Sequence, residues 1–319
     1  ALGALEMGIV ESEVYMPCEG KFFLPNYSRP FNDWETHGSV NVVRAIQASC
    51  DVYFYEVANE MGIEKMSSFL KRFNLGTATN IDIDSEKKGV IPDKEWKRKN
   101  FNSRENQSWY KGETIIAGIG QGYIQTTPIQ LCKMIAQIAN GGYKIKPRII
   151  LDDDENKRFK DLNQFITDKK LFSEDSSSFY EFISKFKYQS LFENPENIKF
   201  VQDALFGATN EPMGTSYGSR LTDKKFIFAG KTGTSQVRRF TERQRELEIK
   251  NEDLPYEQRD HALFVAFAPY KDPRYAISVL VEHGGSGSRS AAPIAKKLIK
   301  KVLERHSLRE SYRDKGENI

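Results

Sequence analysis

The 319-residue sequence predicts an α+β fold, an antiparallel sheet flanked by helices with an all-helical subdomain. Apolar residues recur at helical spacing through the first half, over about 39–145. From about 198 to 305 the pattern changes to a helix, a strand, a hairpin and a closing helix. Two charged stretches of weak periodicity, about 151–197 and 238–260, interrupt that order and read as variable insertions. There are no internal repeats.

Ala1–Gly8 reads as the tail of a helix already under way, so the chain is expected to be a fragment whose beginning lies elsewhere. Residues 11–40 are rich in Pro, Asn, Gly and aromatics and read as irregular. Ser39-Val40-Asn41 opens a helix with Val42, Val43, Ala45, Ile46 and Ala48 on its apolar face, ending near Ser49-Cys50-Asp51. A second helix starts at Val52, with Asp51 placed to cap it, and a third covers 64–73 before the stop Asn74-Leu75-Gly76. Residues 77–112 read as a lysine-rich surface excursion. Gly118-Ile119-Gly120-Gln121-Gly122 fails the dinucleotide fingerprint, since Tyr123 follows and no strand–helix unit surrounds it; it reads as a tight loop. Thr127-Pro128 starts a strong helix that Gly141-Gly142 ends. Ile198–Thr209 is another helix, followed by Met213-Gly214-Thr215-Ser216.

The key stretch is Phe226–Val237, FIFAGKTGTSQV, an apolar lead-in read as a buried strand that delivers Lys231-Thr232-Gly233-Thr234. Gly233 has no Cβ and lets another backbone come close, while a lysine and two hydroxyls stand beside the strand edge. That suits an extended peptide added as a further strand, its carboxylate near the lysine. The competing reading is an ordinary strand end with a surface lysine. Leu263–Ala268 and Tyr275–Val281, joined by a Pro-containing turn, form a hairpin, and 290–306 is an amphipathic basic helix before a solvated tail.

Composition excludes some classes. With 47 basic and 44 acidic residues the net charge is only +3, which argues against a dedicated nucleic-acid binder. No run of eighteen apolar residues is present. Three cysteines make no disulfide framework, and Cys132 sits in an apolar helical pattern as a core thiol. Cys18, Asp33, His37 and Cys50 are four zinc-ligand types close in sequence. A Cys18–Cys50 disulfide and a pair of inert thiols are the alternatives.

Ser49-Cys50-Asp51, Lys231-Thr232-Gly233 and the element order together resemble the penicillin-binding transpeptidases, in particular their elongation class. Ser49–Tyr55, Gly118–Tyr123, Thr127–Gln130 and Ala266–Tyr270 extend the likeness over most of 1–145 and 198–305. The resemblance implies the penicillin-binding/β-lactamase-like transpeptidase fold and a serine-type D,D-transpeptidase of lateral wall synthesis and cell shape. It would cross-link peptidoglycan stem peptides through an acyl-enzyme and be a target of β-lactams. It implies that Ser49 relays a proton, that Asp51 holds the base lysine and contacts substrate, that Lys231 and Thr232 bind the substrate carboxylate, and that Gly233 and Thr234 complete the substrate-binding strand. The Thr234 N–H would supply half of an oxyanion hole. Many relatives carry Asn where Asp51 stands, and Asp has no amide donor for a substrate carbonyl.

The family's first motif, a nucleophilic SxxK, has three matches here: Ser68/Lys71, Ser85/Lys88 and Ser184/Lys187. All follow Ser49, against the family order, and are rejected. The nucleophile is expected about two helical turns before Ala1, and the 319 residues alone are expected to be inactive. The likeness also favours a structural zinc on Cys18, Asp33, His37 and Cys50, because Gram-negative members have such a site. It implies further an inner-membrane anchor absent from this chain and a periplasmic catalytic domain. The implied partners are a membrane glycan polymerase and rod-complex scaffold proteins. The competing functions are a D,D-carboxypeptidase or β-lactamase-type hydrolase and a decayed, non-catalytic scaffold.

Overall fold

A computed structural model describes residues 1–150, 189–238 and 251–314, with Asp153 and Lys157. The charged stretches called as insertions therefore lie largely outside the described residues, and 251–260 forms short 3-10 turns.

Helices dominate the first half. α1 is Leu2–Glu6 and α2 is Val42–Ala48, whose N-cap Asn41 accepts the Arg44 N–H on its side chain. The second and third predicted helices are one element, α3 (Asp51–Arg72), interrupted by a non-helical Gly62 at φ 73°. Its cap is Cys50, whose sulfur accepts the Tyr53 N–H at 3.4 Å; Asp51, expected as the cap, is the first helical residue. α4 (Lys94–Asn100), α5 (Arg104–Gln107) and α6 (Lys111–Gly118) follow. α7 (Pro128–Ala139) has a proline in its first turn, as its sequence predicts, and also a reciprocal Thr127–Gln130 capping box. α8 (Pro195–Asn210) is longer at both ends than the predicted helix.

Two stretches read as lacking regular or buried structure are also corrected. Residues 11–40 are not wholly irregular: β1 (Met16–Cys18) pairs with β4 (Gly38–Val40), and β2 (Lys21–Phe22) with β3 (Phe31–Asn32). The lysine-rich 77–112 stretch is not wholly surface either. Lys97 is only 2% exposed, donates to the Ser108 carbonyl at 2.6 Å and to Glu113, and sits among the rings of Phe101, Trp109, Tyr110 and Tyr123.

The second half contains the antiparallel sheet β5–β6–β7, made of Ala229–Ser235, His261–Ala268 and Tyr275–Val281. The predicted hairpin is β6–β7. The key strand begins at Ala229 rather than Phe226, so the lysine motif lies in mid-strand and not at its end. β6 is apolar on both faces because both are covered. Ala262, Phe264, Ala266 and Ala268 meet α9 (Ala292–Asp314) through Ala292, Ala295, Ile299 and Leu303, while Phe267 joins the helical core. α9 runs on through residues read as a solvated tail. The larger core packs α2, α3 and α8 against β5, which places the start of α3 beside the lysine strand.

Candidate active site

Ser49 is the last residue of the α2 turn, and its backbone is left-handed, at φ 58° and ψ 48°. A non-glycine residue rarely adopts that conformation. It turns the chain between α2 and α3 within two residues and points the hydroxyl at β5. Lys231 Nζ lies 2.9 Å from Ser49 Oγ, 3.2 Å from the Thr232 carbonyl and 3.3 Å from Thr232 Oγ1. The fold thus joins residues 182 positions apart, and Ser49, Lys231 and Thr232 form one hydrogen-bonded group.

Charges at the site are shifted. Burial lowers the Lys231 ammonium to a pKa of about 8, against the opposing attraction of Asp51. Burial raises the Asp51 carboxyl to about 7, helped by the Asp33 charge and opposed by Lys231. A lysine that ionises less readily and a carboxyl that protonates near neutrality suit proton relay.

β5 has β6 along one edge and, among the described residues, no strand along the other. Thr234 is exposed, two residues beyond Thr232 and hence on the same face of the strand. The close approach expected at Gly233 is partly internal. A Cβ on Gly287 would lie 2.8 Å from the Gly233 carbonyl oxygen and 3.1 Å from its nitrogen. Of the rejected serines, Ser68 lies well along α3 from Asp51, on the order of 25 Å by helix rise. Ser85 is in the loop after α3, and Ser184 lies outside the described residues.

The other cluster joins the β1–β4 region to the same turn. One ligand atom each from Cys18, Asp33, His37 and Cys50 lies within 4.8 Å of all the others. Cys18 Sγ is 3.4 Å from Asp33 Oδ2 and 3.5 Å from His37 Nδ1, and those last two atoms are 3.4 Å apart. Bonds of about 2.0–2.3 Å in a tetrahedron put ligand atoms roughly 3.3–3.8 Å apart, so the group has the dimensions of a zinc site. Cys18 and Cys50 are unbonded to each other. Burial, Cys18 and Asp33 raise the Cys50 thiol, while the Tyr53 N–H opposes them; two sulfurs, a carboxylate oxygen and a ring nitrogen converge there, a donor set that suits a divalent cation. Asp33 also accepts the Val52 N–H at 3.0 Å, which ties the cluster to the first turn of α3.

Two further residues at the site are not among those the sequence assigns to it. Thr215 Oγ1 is 3.0 Å from Thr232 Oγ1, held by its N–H to the Gln47 carbonyl and by Gly214, where a Cβ would lie 2.4 Å from the Gly207 and Ala208 carbonyl oxygens. Trp34 donates its indole N–H to the Ser49 carbonyl at 2.9 Å. Gly214 beside Thr215 is the only local hint.

Residues 1–300 match the profile of the penicillin binding protein transpeptidase domain, and the chain belongs to that family. Its relatives include proteins called peptidoglycan D,D-transpeptidase MrdA. That of Salmonella typhimurium is 32% identical over 306 residues, covering 95% of this chain and 45% of the relative. That of Acinetobacter baumannii is 35% identical over 299 residues, covering 92% and 40%. The chain therefore spans less than half the length of these curated relatives. Among solved structures, Pseudomonas aeruginosa PBP2 in complex with WCK 5153 aligns with a TM-score of 0.71 and 32% identity, over 94% of this chain and 58% of that one. Helicobacter pylori PBP2 in complex with MreC aligns with a TM-score of 0.72 and 28% identity, over 95% and 47%. The expected fold is that of these neighbours.

Proposed function

We propose that the protein containing this chain is a peptidoglycan D,D-transpeptidase of lateral wall synthesis, with Ser49, Asp51, Lys231, Thr232, Gly233 and Thr234 in its active site. The observation that supports this most is the 2.9 Å contact between Lys231 Nζ and Ser49 Oγ, which joins two motifs beside an open strand edge. A stem peptide ending in D-Ala-D-Ala lies along β5, its carboxylate held by Thr232 and Lys231. A serine from the SxxK motif, which the family likeness places ahead of α1, attacks the penultimate carbonyl. The serine oxygen–carbon bond forms, the amide C–N bond breaks, and the serine proton passes to the departing D-alanine amine, with Ser49 in the relay. The Thr234 N–H stabilises the oxyanion. An amine of a second stem then takes the acyl group.

Zinc belongs to the same proposal. Cys18, Asp33, His37 and Cys50 would hold it, and its part is structural: it fixes the β1–β4 region against the Ser49–Asp51 turn. The whole protein would act at the bacterial inner membrane with its catalytic domain in the periplasm. The complex of the H. pylori relative with MreC supports a rod-complex scaffold protein as partner. A peptidoglycan synthase complex that coordinates polymerization and crosslinking, 22% identical, supports only the shared fold, and the glycan polymerase partner rests on the family likeness.

The test is product analysis with the full-length protein, a pentapeptide stem and an amine acceptor. Cross-linked product with free D-alanine is expected. Tetrapeptide and D-alanine alone would make the protein a carboxypeptidase, and no D-alanine release would favour the decayed scaffold.

A further inference from the structure

Ser49 poses a structural problem that its own motif does not solve. Its left-handed backbone lies between two helices, and its carbonyl is left over at the C-terminal end of α2. The group that takes this carbonyl is the indole N–H of Trp34, at 2.9 Å and from 15 positions upstream. Trp34 is 60% exposed, so burial in the core does not hold it. Three contacts hold it. The Trp34 backbone N–H donates to Asp33 Oδ1 at 2.8 Å, the ring stands edge-on to His37 at 5.3 Å between centroids, and the indole N–H grips Ser49. Asp33 Oδ2 meanwhile accepts the Val52 N–H on the far side of the same turn. The dipeptide Asp33-Trp34 therefore grips the Ser49-Cys50-Asp51 turn at both ends.

We propose that Trp34 is a positioning residue: its indole N–H holds the Ser49 carbonyl, and with it the left-handed turn that keeps the Ser49 hydroxyl against Lys231. The inference rests on the transpeptidase reading of the site. It gives the four-residue Cys18, Asp33, His37 and Cys50 cluster a route to the chemistry, since two of its members flank or face Trp34. Without the N–H, the Ser49 carbonyl turns to water, the turn samples other backbone angles, and the hydroxyl spends less time in its relay position. Trp34 touches no reacting atom in this scheme. Its removal slows acylation and leaves the binding that precedes acylation unchanged.

The test uses the full-length protein with 3-benzothienylalanine at position 34, which keeps the shape of the indole and replaces N–H by sulfur. The readout is acylation by a fluorescent penicillin, resolved into pre-covalent affinity and acylation rate, beside zinc content and melting temperature. Loss of one neutral hydrogen bond predicts an acylation rate about 3- to 10-fold lower, with the other three quantities unchanged. Trp34→Phe, which also lacks the N–H, should be slowed at least as much. An unchanged rate in the isostere overturns the proposal while leaving the transpeptidase reading intact. A slower rate accompanied by loss of zinc also overturns it, because Trp34 would then act on the metal cluster and not on Ser49. Failure of the wild-type protein to be acylated overturns both.

Discussion

Replacing Lys231 with methionine should make the folded chain more stable while removing the ammonium that contacts Ser49 and Thr232. Lys231 ionises at about 8 instead of 10.5, with burial as the leading cause. At neutral pH the folded state must keep an ammonium charged in a site that disfavours it, at a cost of about 3 kcal/mol. Methionine fills a similar volume without charge but gives up three contacts, to Ser49 Oγ at 2.9 Å and to the Thr232 oxygens at 3.2 and 3.3 Å, a combined loss of about 2 kcal/mol. A net gain of about 1 kcal/mol is expected at pH 7. The pH dependence gives the argument its sign. Between about 8 and 10.5 the unfolded chain carries more protons at this lysine than the folded one, so wild-type stability rises with pH there. The Lys231→Met advantage is therefore full below pH 8 and shrinks toward pH 10.5. The assay is urea unfolding of both proteins at pH 7 and pH 9.5. A variant less stable than wild type at pH 7, or an advantage that does not narrow at pH 9.5, would refute the reasoning.

Three other perturbations test separate parts of the structure. Lys97→Ala strands Glu113 and empties a ring of aromatic side chains, so urea unfolding should show a loss of roughly 3–5 kcal/mol; a loss under 1 kcal/mol would mean that the pair is solvated. Gly214→Ala sets a Cβ against two carbonyl oxygens and should cost about 1–3 kcal/mol by the same assay, as the Thr215 loop moves off Thr232. Its thermal transition staying at the wild-type value would show that the loop yields freely. Cys50→Ala should lose bound zinc, read by elemental analysis of the purified protein, and wild-type zinc should be released as pH falls and the ligands take up protons. Equal zinc in mutant and wild type would remove the metal from the scheme.

Much of the architecture is legible in the sequence because it is local. Thr127-Pro128 announces the start of α7, and the apolar runs around Pro269 announce β6 and β7. The Ser49-Cys50-Asp51 and Lys231-Thr232-Gly233 motifs are recognisable from short residue strings, and the fold brings them into contact. What escapes sequence reading is carried by tertiary contacts. Trp34 gripping Ser49 and Thr215 touching Thr232 have no periodicity or spacing of their own. Lys97 is buried inside a run whose composition reads as solvated, because its partners arrive from Ser108 and Glu113 further along the chain. Cys50 takes the helix cap expected of Asp51, because α3 starts one residue earlier than predicted, directly after Cys50, which follows the left-handed Ser49. The short strands of 11–40 rest on pairings of two or three residues, too few to leave a pattern.

The most direct measurement of the catalytic assignment is the intact mass of the protein expressed from its complete gene, before and after exposure to a β-lactam. A stable gain of one drug mass is predicted, lost when the serine of the SxxK motif is changed to alanine and formed far more slowly in Lys231→Ala. A folded protein that gains no mass would contradict the assignment and leave the contact between Ser49 and Lys231 as the remnant of a site that no longer reacts.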